Sequence, residues 1–152
     1  MEEILVVDDD SLILELIKRI LESGGLVAHC VSSAEEALEK IQARTFSLMV
    51  TDLNMPGEDG LELSRKSLKM APEMPIIMDT GGISPQITGL AREIGISKVI
   101  AKPFLPNEML ETIREVMGAR REVMGARRER ALTASLASRE TFDRRNRYVS
   151  GY

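Results

Sequence analysis

The chain has 152 residues, of which 43% are apolar and 29% charged, and carries a formal net charge of −4. That composition suits one soluble domain of ordinary size with an appendage. One Cys and one His exclude an intramolecular disulfide, a Cys- or His-based metal centre and a His-dependent triad, and 3% aromatics with no Trp argue against a ring-stacking platform for single-stranded nucleic acid.

The β-branched run Ile4–Val7 ends in Asp8, Asp9 and Asp10. It reads as a buried strand with an acidic carboxyl end, and is too short for a leader peptide or a membrane span, so a cytoplasmic protein is expected. Leu12, Ile13, Leu16, Ile17, Ile20 and Leu21 recur at helical spacing, with Asp10 as the cap and Gly24-Gly25 as the stop. Leu26–Val31 is a second strand, whose His29 and Cys30 read as fillers. Ser33 and Glu36 make a capping box before Ala37, Leu38 and Ile41. Ser47–Thr51 is a third strand ending at Asp52, followed by the turn-rich stretch from Asn54 to Gly60. Leu61, Leu63 and Leu68 mark a helix, and Pro75–Asp79 a fourth strand entered through its proline. Gly81-Gly82 opens a loop, Ile87–Ile94 is a helix and Lys98–Ala101 a fifth strand. Lys102-Pro103-Phe104 then precedes a helix bearing Met109, Leu110, Ile113 and Met117. The methionines read as packing residues.

Five strand–helix repeats predict an α/β fold with a parallel sheet covered on both faces, doubly wound. Ligands of such sheets bind outside the carboxyl ends of the strands, which brings Asp8, Asp9, Asp10, Asp52, Thr80 and Lys102 to one cleft. Clustered carboxylates drift toward neutrality unless a cation compensates them. An oxygen-only donor set suits Mg²⁺. A carboxylate beside that ion and a lysine can attack a phosphoryl group and become an aspartyl phosphate, with the metal, the ammonium and the hydroxyl facing the transferred oxygens. An aspartate-based phosphatase using Asp8 and Asp10 is a rival, but it leaves the Asp52 loop and the Lys-Pro pair without a role.

The ordered motifs ILVVDDD, VTDLNMPGEDG, PIIMDTGG and VIAKPF resemble the receiver domain of two-component response regulators, over about residues 2–118. The resemblance implies a flavodoxin-like sheet of order 2-1-3-4-5 and Asp52 as phosphoacceptor. It also implies Mg²⁺ held by Asp9 directly, by Asp8 mainly through water, by Asp52 and by the backbone carbonyl of Asn54. Thr80 becomes the hydroxyl that moves toward the phosphoryl group and Lys102 its cation, with a cis Lys102-Pro103 bond; Gly81 N–H is a further candidate for holding phosphate. The implied partners are a histidine kinase or histidine phosphotransfer protein, which supplies the donor histidine, and a downstream protein target. The expected activity is that of a stand-alone phosphoacceptor switching protein–protein contacts, with the Gly81–Pro85 loop and the following helix as a candidate output surface, and not that of an enzyme. Two positions depart from the family: Val99 replaces the usual switch aromatic, and Asp79 occupies a strand position that is ordinarily apolar, where a buried carboxylate needs a partner.

Residues 1–113 carry 10 Lys and Arg against 19 Asp and Glu, whereas residues 114–152 carry 10 Arg, no Lys and five acids. The composition therefore breaks near residue 114. Read with the motifs, it divides the chain into a receiver domain over 1–118 and an Arg-rich extension over 119–152. REVMGAR occurs twice in succession, at 114–120 and 121–127. The duplication keeps Val116, Met117, Val123 and Met124 on one stripe and extends the last helix by two turns, giving a possible homodimer surface. Beyond it the tail is polar and is expected to be partly disordered. The alternative of a DNA-associated regulator rests on the tail's arginines, but no element that reads sequence is present; nucleic acid and membrane partners are not expected.

Overall fold

The structure, a computed structural model, describes residues 1–147. Five strands, β1 (Glu3–Val7), β2 (Val27–Val31), β3 (Leu48–Asp52), β4 (Ile76–Thr80) and β5 (Lys98–Ala101), alternate with α1 (Ser11–Ser23), α2 (Ala34–Ala43), α3 (Gly60–Met70), α4 (Pro85–Ile94) and α5 (Pro106–Arg147). The strands pair in parallel in the order β2-β1-β3-β4-β5. The chain leaves β1 toward one edge and returns to its other side at β3, so the order reverses there. A cleft at the carboxyl ends of β1 and β3 follows from that reversal.

Alternation along the strands sends side chains to two cores. Leu5, Val7, Met49, Ile76 and Met78 pack with Ala37 of α2, Leu63 of α3 and Ala91 of α4. Ile4, Val6, Leu48, Val50 and Ile77 pack on the other face with Ile17 and Leu21 of α1 and Met109 and Ile113 of α5. Every residue of β3 and β4 is buried, and Leu48–Val50 and Ile76–Met78 accordingly read as continuous apolar runs. Asp52 and Thr80 close them as their last residues, one position further inside the sheet than the sequence reading placed them.

Helix starts follow side-chain chemistry. The Asp10 carboxylate accepts from Leu12 N at the start of α1, and Ser84 caps α4 ahead of Pro85. Ser33 Oγ accepts from Glu36 N as the capping box requires; the Glu36 carboxylate, however, reaches Ser32 N rather than the cap residue's own N–H. Ser33→Ala removes the accepting oxygen and is expected to cost about 1 kcal/mol in a denaturant melt. The α1 stripe is narrower than its apolar pattern: Ile17, Ile20 and Leu21 are buried, while Leu12 and Leu16 face solvent.

Two compact units divide the chain, residues 1–117 and 118–152. In the first, α5 buries Met109, Ile113, Val116 and Met117. In the second, the helix continues through Arg147, well past the two turns expected; of the tail expected to be partly disordered, residues 148–152 lie outside the described residues. Gly118 and Gly125 sit within the helix despite a propensity cost of about 1 kcal/mol each. Val123, Met124, Leu132, Leu136 and Phe142 are exposed. Among the described residues no helix is long and apolar enough to cross a membrane.

Candidate functional site

The side-chain alternation that builds the second core also builds the site. Ile4 and Val6 of β1, Leu48 and Val50 of β3, Ile77 of β4 and Ile100 beside them in β5 belong to the face covered by α1 and α5. Two residues on from Val6, Val50, Ile77 and Ile100 stand Asp8, Asp52, Asp79 and Lys102. Strand periodicity therefore aims three carboxylates and one ammonium to the same side, at the ends of four adjacent strands.

Lys102 Nζ lies 3.0 Å from Asp8 Oδ2, 3.2 Å from Asp52 Oδ1 and 3.6 Å from Asp79 Oδ2. The three carboxylates offer oxygens within 4.8 Å of one another. Oxygens around one Mg²⁺ ion lie about 3 to 4 Å apart at its usual bond lengths of roughly 2.1 Å, so the observed spread is only slightly wider than a bound ion demands. The donors are all oxygen, and neither oxygen of Asp79 makes a hydrogen bond among the described residues; both observations fit a hard divalent cation.

Burial pushes the Asp52 carboxyl up, and Asp8 adds to the rise; Lys102 and the Asn54 backbone N–H pull it down, less strongly. Asp79, 1% exposed, is raised from 3.8 to about 7, chiefly by burial and then by Asp52 and Asp8, with Lys102 opposing. For Lys102 burial works against the charge, but Asp79, Asp8 and Asp52 together outweigh it and hold the ammonium above its ordinary range. One cation thus serves three buried acids, and the site is short of positive charge.

The positions singled out in the sequence sit as follows. Asp8, Asp52 and Lys102 meet. Asp9 is exposed and does not join the close group of oxygens. Asp10 is the helix cap. Asn54 is exposed and its backbone N–H faces Asp52. Thr80 is fully buried; its Oγ1 accepts from Gly82 N at 3.1 Å, and its carbonyl accepts from Lys102 N at 2.9 Å. Gly81 is exposed in the loop that follows. The Lys102-Pro103 peptide is cis. Val99 packs half-buried against the first core. His29 pairs with Glu3 and meets Phe46 edge-on at the far edge strand, and Cys30 is exposed. The partner that Asp79 lacked on sequence grounds is Lys102. Its parity with Asp52 was the signal, since the two residues are register partners.

The acceptor strand leaves through a tight turn. Gly60 N donates to Leu53 O at 2.8 Å, and a Cβ at Gly60 falls 2.1 Å from the Asp52 carbonyl oxygen. Asp59 caps α3 by accepting from Glu62 N. The backbone under Asp52 is therefore clamped from below by the first residue of α3.

Comparison with known proteins points one way. The profile of the response regulator receiver domain matches residues 4–114. The chain is 33% identical over 111 residues to the C4-dicarboxylate transport transcriptional regulatory protein DctD of Rhizobium meliloti (strain 1021), covering 73% of this chain and 24% of that protein; it spans about a quarter of that relative's length. Among solved structures it is similar to a CheY-like response regulator receiver domain protein of Methanospirillum hungatei JF-1, with a TM-score of 0.77 and 35% identity over 80% of this chain and 98% of that one. It is also similar to the chemotaxis protein CheY4 of Vibrio cholerae, with a TM-score of 0.74 and 29% identity over 76% and 98% of the two chains.

Proposed function

This chain belongs to the response regulator receiver domain family of two-component systems, and we propose that Asp52 is its phosphoacceptor, in a Mg²⁺-dependent reaction that switches contacts with a downstream protein. The observation that carries the reading is Lys102 Nζ, after β5, within 3.2 Å of both Asp8 and Asp52 at the carboxyl ends of β1 and β3.

The donor is a phosphohistidine of a partner kinase or phosphotransfer protein. An Asp52 carboxylate oxygen attacks the phosphorus, the P–N bond breaks, and the electron pair leaves with the imidazole nitrogen, which takes up a proton. Asp8, Asp9, Asp52 and the Asn54 carbonyl are the groups that would hold Mg²⁺, which supplies positive charge for the phosphoryl oxygens. Lys102, already between Asp8 and Asp52, turns to the new phosphoryl oxygens without leaving the pocket. Thr80 Oγ1 accepts from Gly82 N, so its own hydrogen is available to donate toward the phosphoryl group, with Gly81 N–H beside it. That rearrangement pulls on the Gly81–Ser84 loop and on α4, where Ile83 and Leu90 are exposed apolar side chains suited to a protein partner. Val99 offers no ring to rotate, so the loop and α4 carry the output. One phosphoryl group is accepted per chain, without turnover of a substrate. Residues 1–118 are the switching domain and 119–152 the Arg-rich appendage.

Incubation with a small acyl phosphate and Mg²⁺ is expected to add one phosphoryl group by intact mass, and Asp52→Asn to abolish the addition. A phosphoryl group retained in that variant would remove the mechanism.

A further inference from the structure

Asp79 is the acid in this pocket that the phosphoacceptor reading leaves without work. It is register partner to Asp52 on the neighbouring strand, it is 1% exposed, and its two oxygens lie buried with no hydrogen bond among the described residues. Buried polar atoms are ordinarily satisfied, because stripping a carboxylate of water with nothing in exchange is costly. Lys102 is 3.6 Å away, beyond hydrogen-bond reach, and is committed at shorter distance to Asp8 and Asp52. One positive charge does not balance three carboxylates, and at 3.6 Å it leaves Asp79 without a hydrogen bond, so a further cation is the group that completes the set.

We propose that Asp79 is an additional acidic member of the divalent-cation site, lending an oxygen and a negative charge to the ion from the buried side of Asp8 and Asp52. The geometry that supports it is the mutual approach of the Asp8, Asp52 and Asp79 oxygens within 4.8 Å, combined with the orphaned oxygens of Asp79. The proposal rests on the receiver reading only in that both use the same ion. A site with one more carboxylate binds its cation more tightly before phosphorylation, and it holds more negative charge once Asp52 carries a phosphoryl group.

The test is binding of Mn²⁺ to the EDTA-stripped full chain, followed by calorimetry and by the electron paramagnetic signal of the free ion. Asp79→Asn keeps the shape and removes the charge, and Asp79→Val serves as a second variant. Both are expected to weaken Mn²⁺ at least tenfold. Glu93→Gln, an equal change of charge on an exposed position of α4, is expected to leave affinity within twofold. A direct readout in the unmutated protein guards against variants that fail to fold: addition of Mg²⁺ is expected to shift the Asp79 side-chain carboxyl carbon resonance together with that of Asp52. Affinity within twofold of wild type in the Asp79 variants, or an Asp79 resonance that stays still while Asp52 moves, overturns the inference and leaves the phosphoacceptor reading standing. A wild-type chain that binds neither ion overturns both.

Discussion

Asp79→Asn is expected to raise the unfolding midpoint by on the order of 10 °C near pH 8 in the absence of divalent ions, and to change it little near pH 4. The reason is the position of the Asp79 carboxyl, raised from 3.8 to about 7 by burial and by its acidic neighbours. A carboxyl that holds its proton more tightly when folded gives the folded chain more bound protons than the unfolded chain between about pH 4 and 7, so stability falls as pH rises through that window. The penalty is complete above about pH 7 and absent below about pH 4. A displacement from 3.8 to about 7 corresponds to ~4 kcal/mol. Asp52 moves in the same direction and shares the same cation, so part of the penalty stays in the variant, and a gain of about 2 to 4 kcal/mol is the expectation. Lys102 moves the other way in effect: its raised ammonium stabilises the fold at every pH below its unfolded value of 10.5 and loses that contribution only at higher alkalinity, outside this window. Asn has the shape and neutrality of the protonated acid, which is why the variant matches wild type at low pH. Thermal melts in EDTA across pH 4 to 8 decide it. A flat wild-type curve, or a variant no more stable at pH 8, would show that Asp79 is not held as a strained buried acid.

That the wild-type chain keeps this acid at all points to what the sequence shows and what it withholds. The central strands were legible because they are buried on both faces and open on unbroken apolar runs: Ile4–Val7 and Leu48–Val50 have no polar positions to confuse with a helix. Caps were legible because Asp10 and Ser33 act within three residues of themselves. Asp52 and Lys102 could be placed together because the rule of carboxyl-end sites needs only the strand ends, and the four ordered motifs supplied the family. Asp79 was visible as an oddity but not as a member of the cluster. Its partnership depends on parity, the fact that it points to the α1 and α5 side with Asp52 while Thr80 beside it points away, and parity requires the register of β3 against β4. The length of α5 was also hidden. Arg, Glu, Ala and Met favour a helix in propensity terms and only the two glycines oppose it, but the polar tail offers no continuous apolar stripe to mark its extent; backbone hydrogen bonds continue through Gly118 and Gly125. The hydroxyls of Thr133, Ser138 and Thr141 bond back to carbonyls one turn earlier, a local arrangement that composition does not reveal.

Gly60→Ala should be among the most damaging small substitutions in the chain, at about 3 kcal/mol or more. Nothing in the turn sequence from Asn54 to Gly60 distinguishes this glycine from Gly57, but the two are needed for different reasons. Gly57 has φ +77 with no atom within 4 Å of an added Cβ, so alanine there meets only the left-handed penalty of about 1 to 2 kcal/mol. At Gly60 the backbone is one any residue adopts, and space is the constraint. The added carbon falls 2.1 Å from the Asp52 carbonyl oxygen and 3.0 Å from Leu53 Cα, both backbone atoms that no rotamer change can move. Relief requires α3 and the end of β3 to separate, which stretches the 2.8 Å bond from Gly60 N to Leu53 O and the bond from Ser64 Oγ to Gly60 O at 2.6 Å. It also shifts Leu53 N, which donates to Asp79 O at 3.1 Å, so the displacement reaches Asp52 and Asp79, two of the pocket's three acids. The consequence is specific: urea melts are expected to show Gly60→Ala losing at least twice the stability that Gly57→Ala loses, and acyl phosphate labelling of the folded Gly60→Ala chain to slow because Asp52 no longer sits squarely against Lys102. Equal losses at the two glycines, or full labelling rate in a destabilised Gly60→Ala chain, would mean that α3 yields without moving the acceptor, and that the clamp beneath Asp52 is looser than the contact distances imply.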